Sequence, residues 1–223
     1  MQVWHDLLFA HWPVSPDVMR PLVPPQLRLD TYDAQCWVGI VPFHMSGVRM
    51  RGIPPLPGLS AFPELNVRTY VSCKDKPGVY FFSLDAANVP AVWAARSFFH
   101  LPYFFSRMRV EVRGAEVHYS SDRLLTPAVL HAKYRPVGPA QLHEPGTLPY
   151  WLTERYCLYT VWRERVYRCD IHHPRWKLQN AELEISRNTM AQAAGIRLPE
   201  TRPLLHLAKR QDVLIWPLRT LPS

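Results

Sequence analysis

Apolar and polar residues alternate with a period of two through much of the chain, in short segments closed by Pro, Gly or charged turns. That period belongs to strands with one face buried. The clearest runs predict strands at Leu27–Asp33, Gln35–Arg49, Glu64–Cys73, Val79–Ala86, Arg107–Arg113, Glu116–Ser121, Leu130–Arg135, Cys157–Trp162, Arg165–Ile171, Lys177–Ser186, Leu204–Lys209 and Asp212–Leu218. Hairpin tips are expected at Arg113-Gly114-Ala115 and at Arg163-Glu164, where short turn residues separate two such runs. Proline is densest at Ile53–Gly58 and Pro136–Pro149; lacking a ladder donor, it predicts loops there.

Helical signals are few. Asp17–Leu22 follows Ser15 as a cap and stops at Pro24-Pro25. Ala91–Phe99 is Ala-rich without strand alternation and ends before Leu101-Pro102. Leu148–Arg155 and Asn188–Ala194 complete the set, the latter closed by Gly195. The fold class is therefore mainly β (α+β) with a few short helices, and closure into a barrel would remove exposed strand edges.

Composition narrows this picture. The 223 residues, 48% hydrophobic and 20% charged, suit one folded domain over residues 1–223, with no repeat, linker or low-complexity tract to divide it. No apolar run reaches the roughly 18 residues of a membrane helix and the N-terminus lacks signal-peptide features, so the chain reads as cytoplasmic with no membrane partner. The formal charge of +8 comes from 21 Arg and 5 Lys spread along strands; without a basic block, no nucleic-acid partner is expected. The cysteines Cys36, Cys73, Cys157 and Cys169 are dispersed, which suggests buried thiols rather than disulfides or a zinc site. Nucleotide, dinucleotide and esterase signatures are absent.

The chemistry concentrates on Glu64–Tyr70. Strand alternation puts Glu64, Asn66, Arg68 and Tyr70 on one face and Leu65, Val67 and Thr69 on the other. A polar face of this kind lines either solvent or a lumen, and in a lumen an ion pair across Glu64 and Arg68 would suit a polar ligand. Arg96, on the predicted helix, carries a guanidinium able to fork a ligand carboxylate. Glu154 and Arg155 are adjacent on a predicted helix and diverge by roughly 100°, so one of them at most faces a pocket; Glu154 is preferred. His172 and His173 face opposite sides of a strand and cannot chelate one ion together, so no metal and no cofactor is expected; His172 remains a weaker candidate for a pocket.

Longer motifs carry a resemblance. FPELNVRTYV (Phe62–Val71), PGVYFFSLDAA (Pro77–Ala87), AARSFFHLPYFFSRM (Ala94–Met108) and IHHPRWKLQNAELEISRNTMA (Ile171–Ala191), with further matches nearly end to end, resemble the YqjF-like uncharacterised proteins. The resemblance implies the antiparallel double β-barrel of acetoacetate decarboxylase. Decarboxylases of that fold use a Schiff-base lysine in a Pro-Lys-Lys stretch, with a glutamate nearby to which Glu64 would correspond. Here that stretch reads Leu101-Pro102-Tyr103-Phe104, and a phenol cannot form an imine. Of the lysines, only Lys133, in LHAKYR, has a context that would point it into a pocket. The expectation is a small-molecule protein whose cavity holds Glu64, Arg68, Arg96 and Tyr103, with Asn66, Tyr70, Glu154 and His172 as weaker members. Its ligand would be a small organic carboxylate or keto compound. The alternatives are a non-catalytic binding module or a diverged lyase using Lys133; whether the chain forms homo-oligomers is left open.

Overall fold

The computed structural model describes residues 1–49, 60–88 and 100–222. The expected helix at Ala91–Phe99, with Arg96, and the proline-rich Ile53–Gly58 lie outside the described residues.

Thirteen strands are described: β1 Gln2–Val14, β2 Arg28–Leu29, β3 Cys36–Ser46, β4 Phe62–Cys73, β5 Lys76–Ala86, β6 Tyr103–Arg113, β7 Glu116–Arg123, β8 Val129–Gln141, β9 Cys157–Trp162, β10 Arg165–His172, β11 Leu178–Asn188, β12 Leu204–Ile215 and β13 Arg219–Thr220. Short helices interrupt them: α1 Pro16–Met19 followed by a 3-10 turn at Arg20–Leu22, α2 Leu148–Thr153 and α3 Met190–Ala193. Among the described residues no helix is long and apolar enough to cross a membrane.

The sheet closes on itself twice. One circuit runs β5-β6-β7-β8-β11-β12-β1-β3-β4 and returns to β5; the other runs β5-β4-β3-β1-β12 and returns through β10 and β9. Pairing is antiparallel except where β5 meets β6 and β9. Strands β1, β3, β4, β5 and β12 belong to both circuits, so their two faces look into two different interiors. This is why β4 is buried without a break from Glu64 to Ser72, as expected of a strand covered on both sides.

The two interiors are filled by alternate residues of the same strands. Leu8, Ala10, Val38, Ile40, Leu65, Val67 and Leu207 pack with Tyr119 and Tyr134 in the first circuit. Leu7, Phe9, Val41, Phe43 and Ala208 pack with Trp176 in the second, and beside them Tyr70 packs with Val79, Phe81, Leu84, Leu158 and Cys169. A bulge in β5 keeps both sets inside: β4 pairs Val67 with Ser83 and Arg68 with Phe81, leaving Phe82 as the extra residue.

The tight turns follow their sequence signals. Arg163 and Glu164 both take positive φ, 48° and 62°, between paired Trp162 and Arg165, as a two-residue hairpin of the primed type requires. Gly114, with φ 63°, turns β6 into β7.

Three expectations are corrected. The N-terminal segment is a strand of 13 residues, β1, unexpected because it is mostly apolar on both faces, which hides the period of two. Leu204–Lys209 and Asp212–Leu218 are not two strands: β12 runs without a break to Ile215, as the intervening Arg210 and Gln211 pair with His5 and Trp4 of β1. Pro136 lies within β8, opposite Ala181, rather than opening a loop.

Candidate functional site

The polar alternate face of β4 enters the second circuit. Glu64, Asn66 and Arg68 are all buried, at 5%, 4% and 9% exposure. Neighbouring strands line the same face: Phe43, Val41 and Gly39 of β3 stand opposite Glu64, Asn66 and Arg68. Leu84 of β5 pairs with Asn66 on one side and with Tyr103 of β6 on the other. This register carries the Tyr103 hydroxyl to Glu64, where it donates to Oε2 at 2.8 Å.

Burial sets the electrostatics. Desolvation pushes the Glu64 carboxyl up to about 7, against the opposing pull of the Tyr103 hydrogen bond and with a smaller push from the Asp85 charge. The Tyr103 phenol is held well above its ordinary range by burial and by Glu64, so it remains a neutral donor.

The expected ion pair between Glu64 and Arg68 does not form among the described residues. Four residues along a strand separate the two by about 13 Å, and each finds a nearer partner. The Arg68 guanidinium instead lies 5.1 Å from the Phe9 ring centroid and 5.8 Å from that of Tyr70, an arrangement favoured by the negative faces of the rings. Tyr70 Oη and His11 Nε2 are hydrogen-bonded at 2.5 Å. Burial, with Arg68 and His206 nearby, drives the His11 imidazole well below its ordinary value, so it stays uncharged. Gly39 permits this crowding: a Cβ there would stand 3.0 Å from the His11 ring and 3.5 Å from Arg68 Cγ.

Beyond Tyr70, Arg155 is buried and donates from Nη1 to Asp30 Oδ2 at 2.7 Å, while its guanidinium lies 4.4 Å from Trp151 and 5.1 Å from Tyr70. The other alternate face of β5 holds Asp85, which accepts from Arg123 Nε and Nη2 and from Ser106 Oγ, each at 2.7 Å.

Among the described residues, several polar atoms of β4 and of the neighbouring strands are buried without a hydrogen-bond partner: Asn66 Oδ1, Arg68 Nε, His11 Nδ1 and His206 Nδ1. Such atoms cost free energy unless something meets them. Together they offer a cation, an acceptor and ring nitrogens in the same interior as a carboxyl that burial raises to about 7. This combination can hold a small oxyanion and exchange a proton with it.

The remaining sequence candidates separate. Glu154 caps α2 from outside this face, accepting from Trp176 N at 2.9 Å and from the Tyr156 hydroxyl at 2.5 Å. His172 is exposed while His173 is buried. Lys133 is exposed on β8, opposite Glu184 and His118, because Ala132 and Tyr134 take the inward positions; it does not enter a pocket. The other lysines are also placed away from Glu64: Lys74 donates to Pro222 O, Lys76 pairs with Asp170 and Lys209 with Asp6, and Lys177 is exposed. His11, His206 and Asp85 were not among the sequence candidates, and Arg155, weighed there against Glu154, is the one of that pair that turns inward.

Residues 1–212 match the model of DUF2071, described as an uncharacterized conserved protein. The chain is 55% identical to the uncharacterized protein YqjF of Bacillus subtilis over 219 residues, covering 98% of this chain and 90% of the relative. Among solved structures it is similar to the enduracididine biosynthesis enzyme MppR complexed with pyruvate, with a TM-score of 0.68 and 12% identity over 99% of this chain and 90% of that one. It is also similar to acetoacetate decarboxylase from Legionella pneumophila, with a TM-score of 0.65 and 11% identity over 99% and 87% of the two chains. At these identities the likeness carries the fold, which is acetoacetate decarboxylase-like.

Proposed function

The chain belongs to the DUF2071 family, and from that premise we propose that its second circuit binds a small keto acid and exchanges a proton at the carbon next to the carbonyl, without Schiff-base chemistry. The observation that carries this reading is the buried Glu64–Tyr103 hydrogen bond at 2.8 Å, on a face that also presents Arg68.

Each group has a task its chemistry suits. Arg68, with its buried and unpartnered Nε, takes the ligand carboxylate by charge-assisted hydrogen bonds. Glu64, half ionised at neutral pH because burial raises it to about 7, accepts the α-proton; the C–H electron pair moves onto the carbonyl oxygen as an enolate, and the same carboxyl returns a proton to carbon. A base poised near the working pH serves both directions. Tyr103 holds Oε2 and so orients the carboxyl.

Two further observations support the reading. All five lysines are exposed or engaged away from Glu64, so no amine stands ready to form an imine. A structure of the same fold is of an enzyme complexed with pyruvate. The proposal is tested by calorimetric titration with pyruvate, combined with borohydride reduction of the mixture and intact-mass measurement. Binding by the unaltered chain, weakened at least tenfold by Arg68→Met, with no mass adduct, is the expected outcome. A reduced adduct, or affinity unaffected by Arg68→Met, would overturn it.

A further inference from the structure

A second site is built on the other side of the molecule, at the end of β5 remote from Glu64. Lys76 opens β5 whereas Glu64 pairs with Ala86 at its close, so about 30 Å of strand separates the two. Here Lys76, Tyr156, Asp170, Ile171, His172 and Trp216 line a cleft of about 310 Å³, within the range of small-molecule sites.

The charges gathered on Asp170 are unbalanced, Lys76 lining the cleft and Arg168 and Arg219 standing beside it. Asp170 receives Lys76 Nζ on Oδ1 at 2.7 Å and Arg219 Nη2 on Oδ2 at 2.8 Å, and Arg168 pairs with it, Nη2 donating to Oδ2 at 3.4 Å. One carboxylate thus gathers three cations, leaving two positive charges in excess. The sheet enforces this: Arg168 pairs with Arg219 across β10 and β13, and Asp170 follows Arg168 by two positions on the same face of β10. The lysine and the Arg219 guanidinium keep 38% and 56% of their side-chain surface exposed, so they have donors to spare. The Trp216 ring, 45% exposed, adds a flat apolar wall that the charge cluster does not need. Trp216 is held in place by its own backbone N–H, which donates to Asp170 O at 3.0 Å.

We propose that this cleft binds a small organic phosphate monoester carrying a flat ring, its dianion set on Lys76 and Arg219 and its ring on Trp216. A phosphate monoester carries close to two negative charges at neutral pH, which matches the excess, and cationic side chains bind it through charge-assisted hydrogen bonds. The ring distinguishes this ligand from free phosphate, which meets the cations but leaves Trp216 unused.

Phenyl phosphate, inorganic phosphate and phenol are titrated calorimetrically into the full chain at pH 7.5. Saturable binding of phenyl phosphate is expected, weakened at least tenfold in Lys76→Met and again in Arg219→Met. Inorganic phosphate should bind more weakly than phenyl phosphate in the unaltered chain, and equally in the unaltered chain and in Trp216→Leu. Far-UV circular dichroism matching the unaltered chain identifies which variants are folded, and the comparison of the three probes on the unaltered chain stands without any variant. No saturable binding of phenyl phosphate, equal binding of phenol, or unchanged affinity in folded Lys76→Met would overturn the proposal. None of these measurements involves Glu64 or Arg68, so the interior reading can fail while this one holds.

Discussion

Glu64 of β4 and Tyr103 of β6 lie 39 positions apart in the chain and are joined by a 2.8 Å hydrogen bond, although their strands are not paired along the sheet. Strand β5 stands between them, and it is the pairing of Leu84 with both Asn66 and Tyr103 that aligns the two side chains. The contact is therefore a property of register. A one-residue slip of β6 would turn Tyr103 out of the second circuit and bring in Phe104, which carries no hydroxyl.

The raised Glu64 carboxyl makes stability depend on pH. Its folded value of about 7 exceeds the ordinary 4.5, so the folded chain holds a proton that the unfolded chain has released. The contribution is fully present below pH 4.5 and is lost as pH rises through 7. Urea denaturation of the unaltered chain and of Glu64→Gln should diverge across this window, the glutamine variant gaining on the order of 3 kcal/mol relative to the unaltered chain by pH 8. Parallel curves would show that the carboxyl is not desolvated in solution.

Asp85 is fully buried and Arg123 nearly so, and the guanidinium also lies 3.8 Å from the Phe104 ring centroid. Arg123→Ala leaves a carboxylate without its counter-charge in the interior, a loss of about 3 to 5 kcal/mol. Urea denaturation measures it directly. The double variant Arg123→Met with Asp85→Leu should recover part of that loss, because the uncompensated charge is gone.

Gly39 and Gly78 separate a site effect from a packing effect. An added Cβ at Gly78 would stand 2.7 Å from the Cys157 carbonyl oxygen and 2.8 Å from the Tyr159 ring, and backbone cannot yield. Gly78→Ala should cost about 1 to 3 kcal/mol and lower the thermal midpoint by several degrees. Gly39→Ala meets the His11 ring at 3.0 Å, which can shift slightly; its thermal midpoint should fall less, while pyruvate affinity falls several-fold as His11 and Arg68 move.

Much of this arrangement was legible in the sequence, for physical reasons that particular residues make plain. The alternation Glu64, Asn66, Arg68, Tyr70 is local, and a period of two specifies which side chains share a face whatever the fold. The turns at Arg163-Glu164 and Gly114 are likewise local. What meets that face is not: His11 comes from β1 across β3. Whether Glu154 or Arg155 turns inward depended on α2 ending at Thr153, after which the helical 100° offset no longer applies and Arg155 reaches Asp30. β1 was missed because most of its residues on both faces are apolar, which leaves little alternation to read.

The central claim is proton exchange by Glu64, and proton NMR of pyruvate in D2O at pD near 7 measures it most directly. The methyl signal should lose intensity to deuterium in the presence of the unaltered chain, at a rate that rises with pH through about 7 as Glu64 ionises. The rate should fall by 100-fold or more in Glu64→Gln, the usual scale for removing a general base. Washout equally fast in Glu64→Gln, or no faster than in buffer with the unaltered chain, would contradict it.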